Sequence, residues 1–162
     1  MPYWSELWPS GLALANALPL RLDGVAVVEL GCGLGIPSLV AAARGAHVTA
    51  IDWAVDATAL LEENAARNGI RLDALHADWR AFSGSFALAL GADLLYEARN
   101  VDALLDVLPR LASRVFLAEP GRPHAAAFFE RARHHWETRD LGDRVYELRR
   151  ATRGDRRARA DG

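Results

Sequence analysis

The sequence predicts an α/β fold organised on an open, mostly parallel sheet covered by helices on both faces. Short apolar runs of strand length alternate with stretches of helical period. The first clear run, Val27-Val28-Glu29-Leu30, opens directly into the glycine-rich Gly31-Cys32-Gly33-Leu34-Gly35, and a later run ends in the acid Asp52. Strand, glycine turn, helix, strand and acid in that order, with the acid about twenty residues past the first glycine, is the arrangement by which such sheets hold a nucleotide-like ligand.

Composition bounds the rest. With 162 residues, 51% of them hydrophobic, the chain supports one domain with a real core. A formal net charge of -2 gives no basic surface for nucleic acid. The single cysteine, Cys32, excludes an internal disulfide and a cysteine metal cluster, and no metal site is expected. Neither a leader-like N-terminus nor an 18-residue apolar run occurs, so a soluble, cytoplasmic protein without a membrane partner is expected. All 19 basic positions are arginine. Genome composition accounts for that, and so does a lysine-modifying enzyme that offers no lysine of its own.

In chain order, Trp4, Trp8 and Pro9 lead into a helix expected from a Ser10 cap to about Leu18, ended by Pro19. Residues 1–20 are read as a cover, either plugging the core or walling a ligand slot with indole. Val25 to Leu30 is the first strand, its apolar character nearly continuous because both faces are covered. Gly31, Gly33 and Gly35 suit positive φ and close approach of a ligand, and Pro37 suits the first turn of a helix ending at Gly45. The third glycine stands one place too early for a dinucleotide fingerprint, whose position holds Ile36. Glu29 would repel a pyrophosphate and attract an ammonium, which suits the amino-acid end of S-adenosylmethionine.

His47 to Asp52 is the second strand; Asp52 is placed to reach ribose hydroxyls, with Trp53 beside it. Asp56 is expected to cap a helix through Asn68. Leu72 to His76 leads to Asp78-Trp79, an acid and an aromatic suited to an adenine amino group and ring, or alternatively a helix cap and a core residue. Phe86 to Leu90 is the fourth strand, followed by Ala92-Asp93-Leu94-Leu95-Tyr96; beside the first strand at the switch of strand order, it directs Asp93 into the crevice. A helix capped by Asn100 or Asp102 ends before Pro109, and Val115 to Glu119 is a fifth strand running into Pro120-Gly121-Arg122-Pro123. A helix over about His124 to His135 precedes a hairpin of Thr138 to Leu141 and Val145 to Arg149 across Gly142-Asp143. The arginine-rich residues 151–162 read as a disordered tail, leaving 1–150 as the domain.

Glu29 with Gly31, Gly33 and Gly35 resembles motif I of the class I S-adenosylmethionine-dependent methyltransferases. Together with Leu7-Trp8-Pro9-Ser10-Gly11, Asp52, Asp78-Trp79 and the D-x-x-Y of Asp93 to Tyr96, it is similar to the seven-β-strand protein lysine methyltransferases called family 16. The opening Tyr3-Trp4 to Gly11 and Phe116 to Pro123 are nearest the branch acting on the electron transfer flavoprotein β-subunit, where an aspartate usually stands at Glu119. The resemblance implies a Rossmann-like seven-stranded sheet with an antiparallel last strand and S-adenosylmethionine as cofactor. It places Trp8, Gly31, Cys32, Gly33, Asp52, Trp79 and Ala92 around that cofactor and Asp93 and Tyr96 at the methyl group, with Glu119 as a second candidate for orienting substrate. A protein lysine, or else a small amine, is the expected acceptor. A nucleic acid is not, since no N-P-P-Y signature follows the fourth strand.

Overall fold

A computed structural model describes residues 3–151. The predicted tail, 151–162, lies outside the described residues but for Ala151. Among the described residues, five α-helices flank one sheet: α1 (Pro9–Ala17), α2 (Ile36–Ala43), α3 (Val55–Arg67), α4 (Arg99–Leu111) and α5 (Ala125–Ala132). The strands are β1 (Ala26–Leu30), β2 (His47–Asp52), β3 (Asp73–His76), β4 (Leu88–Ala92), β5 (Arg114–Ala118), β6 (Trp136–Asp140) and β7 (Val145–Arg150). They lie in the order β3-β2-β1-β4-β5-β7-β6. Pairing is parallel from β3 through β5, and β7 runs antiparallel to both β5 and β6. The expected seven-stranded, mostly parallel sheet with a reversed last strand is thus present.

Alternate strand residues feed two cores. Val27, Leu88, Leu90, Phe116 and Ala118 pack with Leu14 and Leu18 of the α1 region and Ala41 of α2. Their neighbours Val28, Ala89, Val115 and Leu117 face α4 and α5 through Leu104, Leu108 and Phe128. With helices on both faces, both sets are apolar, which is why these strands read as nearly continuous apolar runs, Glu29 of β1 excepted. β1 lies between β2 and β4, so the chain leaves it toward one side of the sheet and returns on the other. The crevice this opens at the strand ends is where such sheets bind ligands.

Several boundaries differ from expectation for local reasons. Ser10 does not cap α1: Trp8 holds that place, Pro9 fills the first turn, and Ser10 is buried inside the helix. Asp56 lies in the first turn of α3, capped instead by the backbone of Ala54. β4 begins at Leu88, two residues late, because its register is set by Val27 opposite Leu88 while Phe86 makes an isolated bridge to Ala112. α4 runs through Pro109 to Leu111. Proline forfeits one helical hydrogen bond there, and burial of Leu108 and Leu111 holds the last turn in place.

Candidate active site

The end of β1 turns sharply. Gly31, Gly33 and Gly35 adopt φ of 62°, 50° and 68°, as the sequence reading required. Gly31 disfavours a side chain through its positive φ, and a Cβ there would stand 2.9 Å from Leu94 Cδ2, which would have to shift. A Cβ on Gly35 would meet Leu61 Cδ1 of α3 at 2.4 Å, so this glycine does the close packing that a dinucleotide fingerprint assigns to a residue one place later.

Two buried carboxylates hold the turn. Asp52, last in β2, accepts the Gly33 N–H at 2.8 Å on one oxygen and the Ala54 N–H at 2.9 Å on the other. It straps the glycine turn to the loop after β2, and each oxygen keeps a further lone pair for a ligand. Glu29 Oε2 accepts the Ser38 N–H at 2.9 Å and also the Ser38 hydroxyl. It therefore caps the first turn of α2, whose N–H groups lack helical partners. Burial, opposed by the two Ser38 hydrogen bonds and reinforced by the nearby charge of Asp52, pushes the Glu29 carboxyl up to about 7. Burial likewise pushes the Cys32 thiol far up, with Glu29 and Asp52 adding to it, so Cys32 is an inert packing residue.

A cavity of about 610 Å³ opens over this turn. Trp8, Glu29, Gly31, Cys32, Gly33, Gly35, Asp52, Trp53, Trp79, Ala92, Asp93 and Tyr96 all line it. So do residues the sequence reading did not select, among them Trp4, Glu6, Leu34, Arg80, Glu97 and Arg99. The N-terminal segment folds over the glycine turn, bringing the Trp4 carbonyl to 3.1 Å from where a Gly33 Cβ would stand. Trp53 is 63% exposed and Trp79 4%, giving one outer and one inner indole wall.

Asp78 and Glu119 lie outside this lining. Asp78 accepts from the Arg80 backbone N–H at 3.0 Å and from its Nε at 2.9 Å, capping the short 3₁₀ turn Trp79–Ala81. Partial burial acts to raise its carboxyl, but the Arg80 bonds and charge outweigh that and hold it below the usual range. Glu119 Oε1 accepts the N–H groups of Gly121 and Arg122 at 2.8 and 2.5 Å, and the residue borders a separate, smaller cavity. Its buried Oε2 has no hydrogen-bond partner.

Asp93 follows β4 in a left-handed conformation, φ 57°, donating its N–H to the Ala118 carbonyl at 2.9 Å. A non-glycine residue held there signals a geometry fixed by its surroundings. Its carboxylate is 5% exposed and is gripped at both oxygens by Arg122, whose Nε and Nη2 donate at 2.6 Å each. Arg122 also lies 5.8 Å over the Trp8 ring. Asn100 supports the same loop, its Nδ2 donating to the Leu94 carbonyl at 2.8 Å. A sequence ranks Arg122 only as a loop cation, since its contact to Asp93 is made across the fold; Asn100, expected as a helix cap, instead lies inside α4, whose N-terminal cap is Ala98.

The cavity suits S-adenosylmethionine on three counts. Its volume falls within the ~300–1,000 Å³ of small-molecule sites. The glycine turn presents bare backbone where a Cβ would intrude. Buried carboxylates at Glu29 and Asp52 match an ammonium and ribose hydroxyls. Among the described residues, no cluster of His, Cys, Asp and Glu is placed to hold a metal ion. No described helix is long and apolar enough to cross a membrane.

Comparison with known proteins agrees with this geometry. A family profile described as methyltransferase domain matches residues 27–115, from β1 into β5. EEF1A lysine methyltransferase 3 of Mus musculus is 30% identical over 142 residues, covering 78% of this chain and 61% of that protein. Protein N-lysine methyltransferase METTL21A of Mus musculus is 35% identical over 120 residues, covering 66% and 55%. The chain thus spans little more than half the length of these relatives. Magnesium protoporphyrin IX methyltransferase from Synechocystis, solved with bound S-adenosylmethionine, superposes with a TM-score of 0.72 at 16% identity, covering 88% of this chain and 78% of that one. By fold, glycine turn and profile match together, the chain belongs to the methyltransferase domain family, in the class I branch that uses S-adenosylmethionine.

Proposed function

We propose that the protein is an N-methyltransferase acting on a lysine side chain of a protein substrate. The observation that carries this is the placement of Asp93 and Tyr96, at the end of β4, on the same cavity as the glycine turn, in a chain whose matched relatives include lysine methyltransferases. In this reading Gly31 to Gly35 support the amino-acid end of the cofactor, Asp52 the ribose, and Trp53 and Trp79 the adenine. Asp78 supports that wall indirectly, through Arg80.

The cofactor supplies a sulfonium-bound methyl group open to in-line displacement. The chain's own task is to present an uncharged amine along that line and keep water out. Asp93 accepts an N–H of the amine and fixes its lone-pair direction, and Tyr96, 39% exposed at the mouth, offers a ring face and a hydroxyl to the incoming side chain. Glu119 serves the site from behind by bonding the backbone that carries Arg122.

Purified protein incubated with methyl-labelled S-adenosylmethionine and a host lysate is expected to label discrete protein bands on lysine. Elongation factor 1A and the electron transfer flavoprotein β-subunit belong in the substrate panel as purified proteins. Asp93→Ala should retain cofactor affinity and lose transfer by on the order of 10²-fold or more. Label confined to small molecules would replace the protein acceptor with a small amine, and normal turnover by Asp93→Ala would remove Asp93 from the reacting centre.

A further inference from the structure

Arg122 does not line the cavity, yet it is the bidentate partner of the carboxylate that does. Its guanidinium fork meets both oxygens of Asp93 at 2.6 Å, with Asp93 buried and the Arg122 side chain only 32% exposed. The loop that carries it is fixed from two directions: Glu119 Oε1 bonds the Gly121 and Arg122 N–H groups, and the guanidinium lies against Trp8. A bidentate fork of this kind is orientationally specific in a way a lysine ammonium is not.

A solitary buried carboxylate at the acceptor position would be counterproductive. A lysine amine, with its usual pKa of ~10.4, arrives as an ammonium, and an unpaired anion would stabilise that charged, non-nucleophilic form. The Asp93–Arg122 pair carries no net charge to trade for the ammonium, so desolvation favours loss of the proton. Its remaining lone pairs still accept an N–H from the free amine.

We propose that Arg122 is a positioning residue for methyl transfer: acting through Asp93, it makes the acceptor site a neutral pair that receives the amine as its free base. This rests on the N-methyltransferase reading above. The amine's proton leaves to solvent before transfer; its nitrogen lone pair then forms the new N–C bond as the C–S bond breaks, and sulfur keeps that electron pair as a thioether. The other charged groups on the cavity are Glu97, paired with Arg99, Arg80, paired with Asp78, and Glu6, with the Tyr96 phenol; against the loop that carries Arg122 stand Glu119, which accepts its backbone N–H, and Arg144, whose guanidinium lies beside Gly121. Glu29 and Asp52 lie at the glycine turn. None of these neighbours is itself substituted in the Arg122 variants, so a change in proton release is read against a constant set of surrounding groups and belongs to the Asp93–Arg122 pair.

The test uses protein saturated with the demethylated cofactor, S-adenosylhomocysteine, and n-butylamine as a lysine side-chain probe. Calorimetry at pH 8.5 in two buffers of different ionisation enthalpy counts the protons released per amine bound. Wild type should release about one, Arg122→Met close to none, and Arg122→Lys an intermediate number, since it keeps the charge without the fork. In the transfer assay, Arg122→Met should move the ascending pH limb about one unit alkaline and lower kcat at neutral pH about tenfold, with cofactor affinity unchanged. Wild type that takes up no butylamine, or takes it up without releasing a proton, overturns the proposal. So does an Arg122→Met protein that releases as many protons as wild type, or one that no longer binds cofactor. Proton release on butylamine binding without labelling of any protein would instead uphold the role of Arg122 and reject the protein acceptor.

Discussion

Glu29 shows how one side chain can answer two demands. Its place two residues before the first glycine marks it as an acid of the glycine turn, and it lines the cavity there, but its bonds to Ser38 are not legible, because they depend on how α2 is set against β1. A carboxyl raised from 4.5 to about 7 in the folded state binds a proton that the unfolded chain has released. Between those two values the native state therefore holds more protons than the unfolded state, and unliganded stability falls as pH rises from about 4.5 to 7. The full span is worth on the order of 3 kcal/mol. Urea unfolding across that range should show the decline in wild type and a flatter profile in Glu29→Gln. Gly35 makes a second, steric demand. Gly35→Ala places a methyl on Leu61 in a left-handed backbone, and should destabilise by about 2–4 kcal/mol in thermal unfolding, with cofactor affinity falling as the turn shifts.

At the level of elements, the sequence was most informative where a run of residues is bounded by something that local chemistry fixes. The second strand was read with its observed limits, because His47 begins it and Asp52 ends it. The fourth was misplaced by two residues, since Phe86 to Gly91 is apolar throughout and offers no period; only pairing with β1 sets its register. Pro109 misled for the opposite reason: a strong local signal for stopping was overridden by the buried stripe of α4. Asn100 belongs to this scale because it joins two elements. It is fully buried near the start of α4 and satisfies the Leu94 carbonyl in the loop that carries Asp93 and Tyr96. Asn100→Leu leaves that carbonyl without its donor and should cost about 1–3 kcal/mol by denaturant titration. Methyl transfer should fall more than cofactor binding, since the disturbed loop holds the acceptor side.

For the whole molecule, the order of glycine turn, strand and acid conveyed the fold and the cofactor together, because sheet topology converts that order into a single crevice. What it could not convey is which side chains meet across the crevice, the Arg122 to Asp93 pair above all. The cofactor assignment has a simple global readout. S-adenosylmethionine at about 100 times its dissociation constant should stabilise the protein by ~2.7 kcal/mol, a rise of about 5–10 °C in Tm, whereas NAD should give no comparable shift. An equal response to NAD would point back to a dinucleotide site, against the position of Ile36.

The sheet closes out of sequence order: β7, the last strand among the described residues, is inserted between β5 and β6 rather than added at the rim. During synthesis, the flank of β5 formed by residues 114–118 has no permanent neighbour until residues 145–150 have left the ribosome, although every residue of the cofactor turn has emerged long before. A nascent chain halted within the β6–β7 hairpin would carry a finished glycine turn beside an open row of strand N–H and C=O groups. That edge is a template for pairing with another nascent copy, so the last few residues of the sheet separate a closed sheet from one with an open, pairing-prone flank.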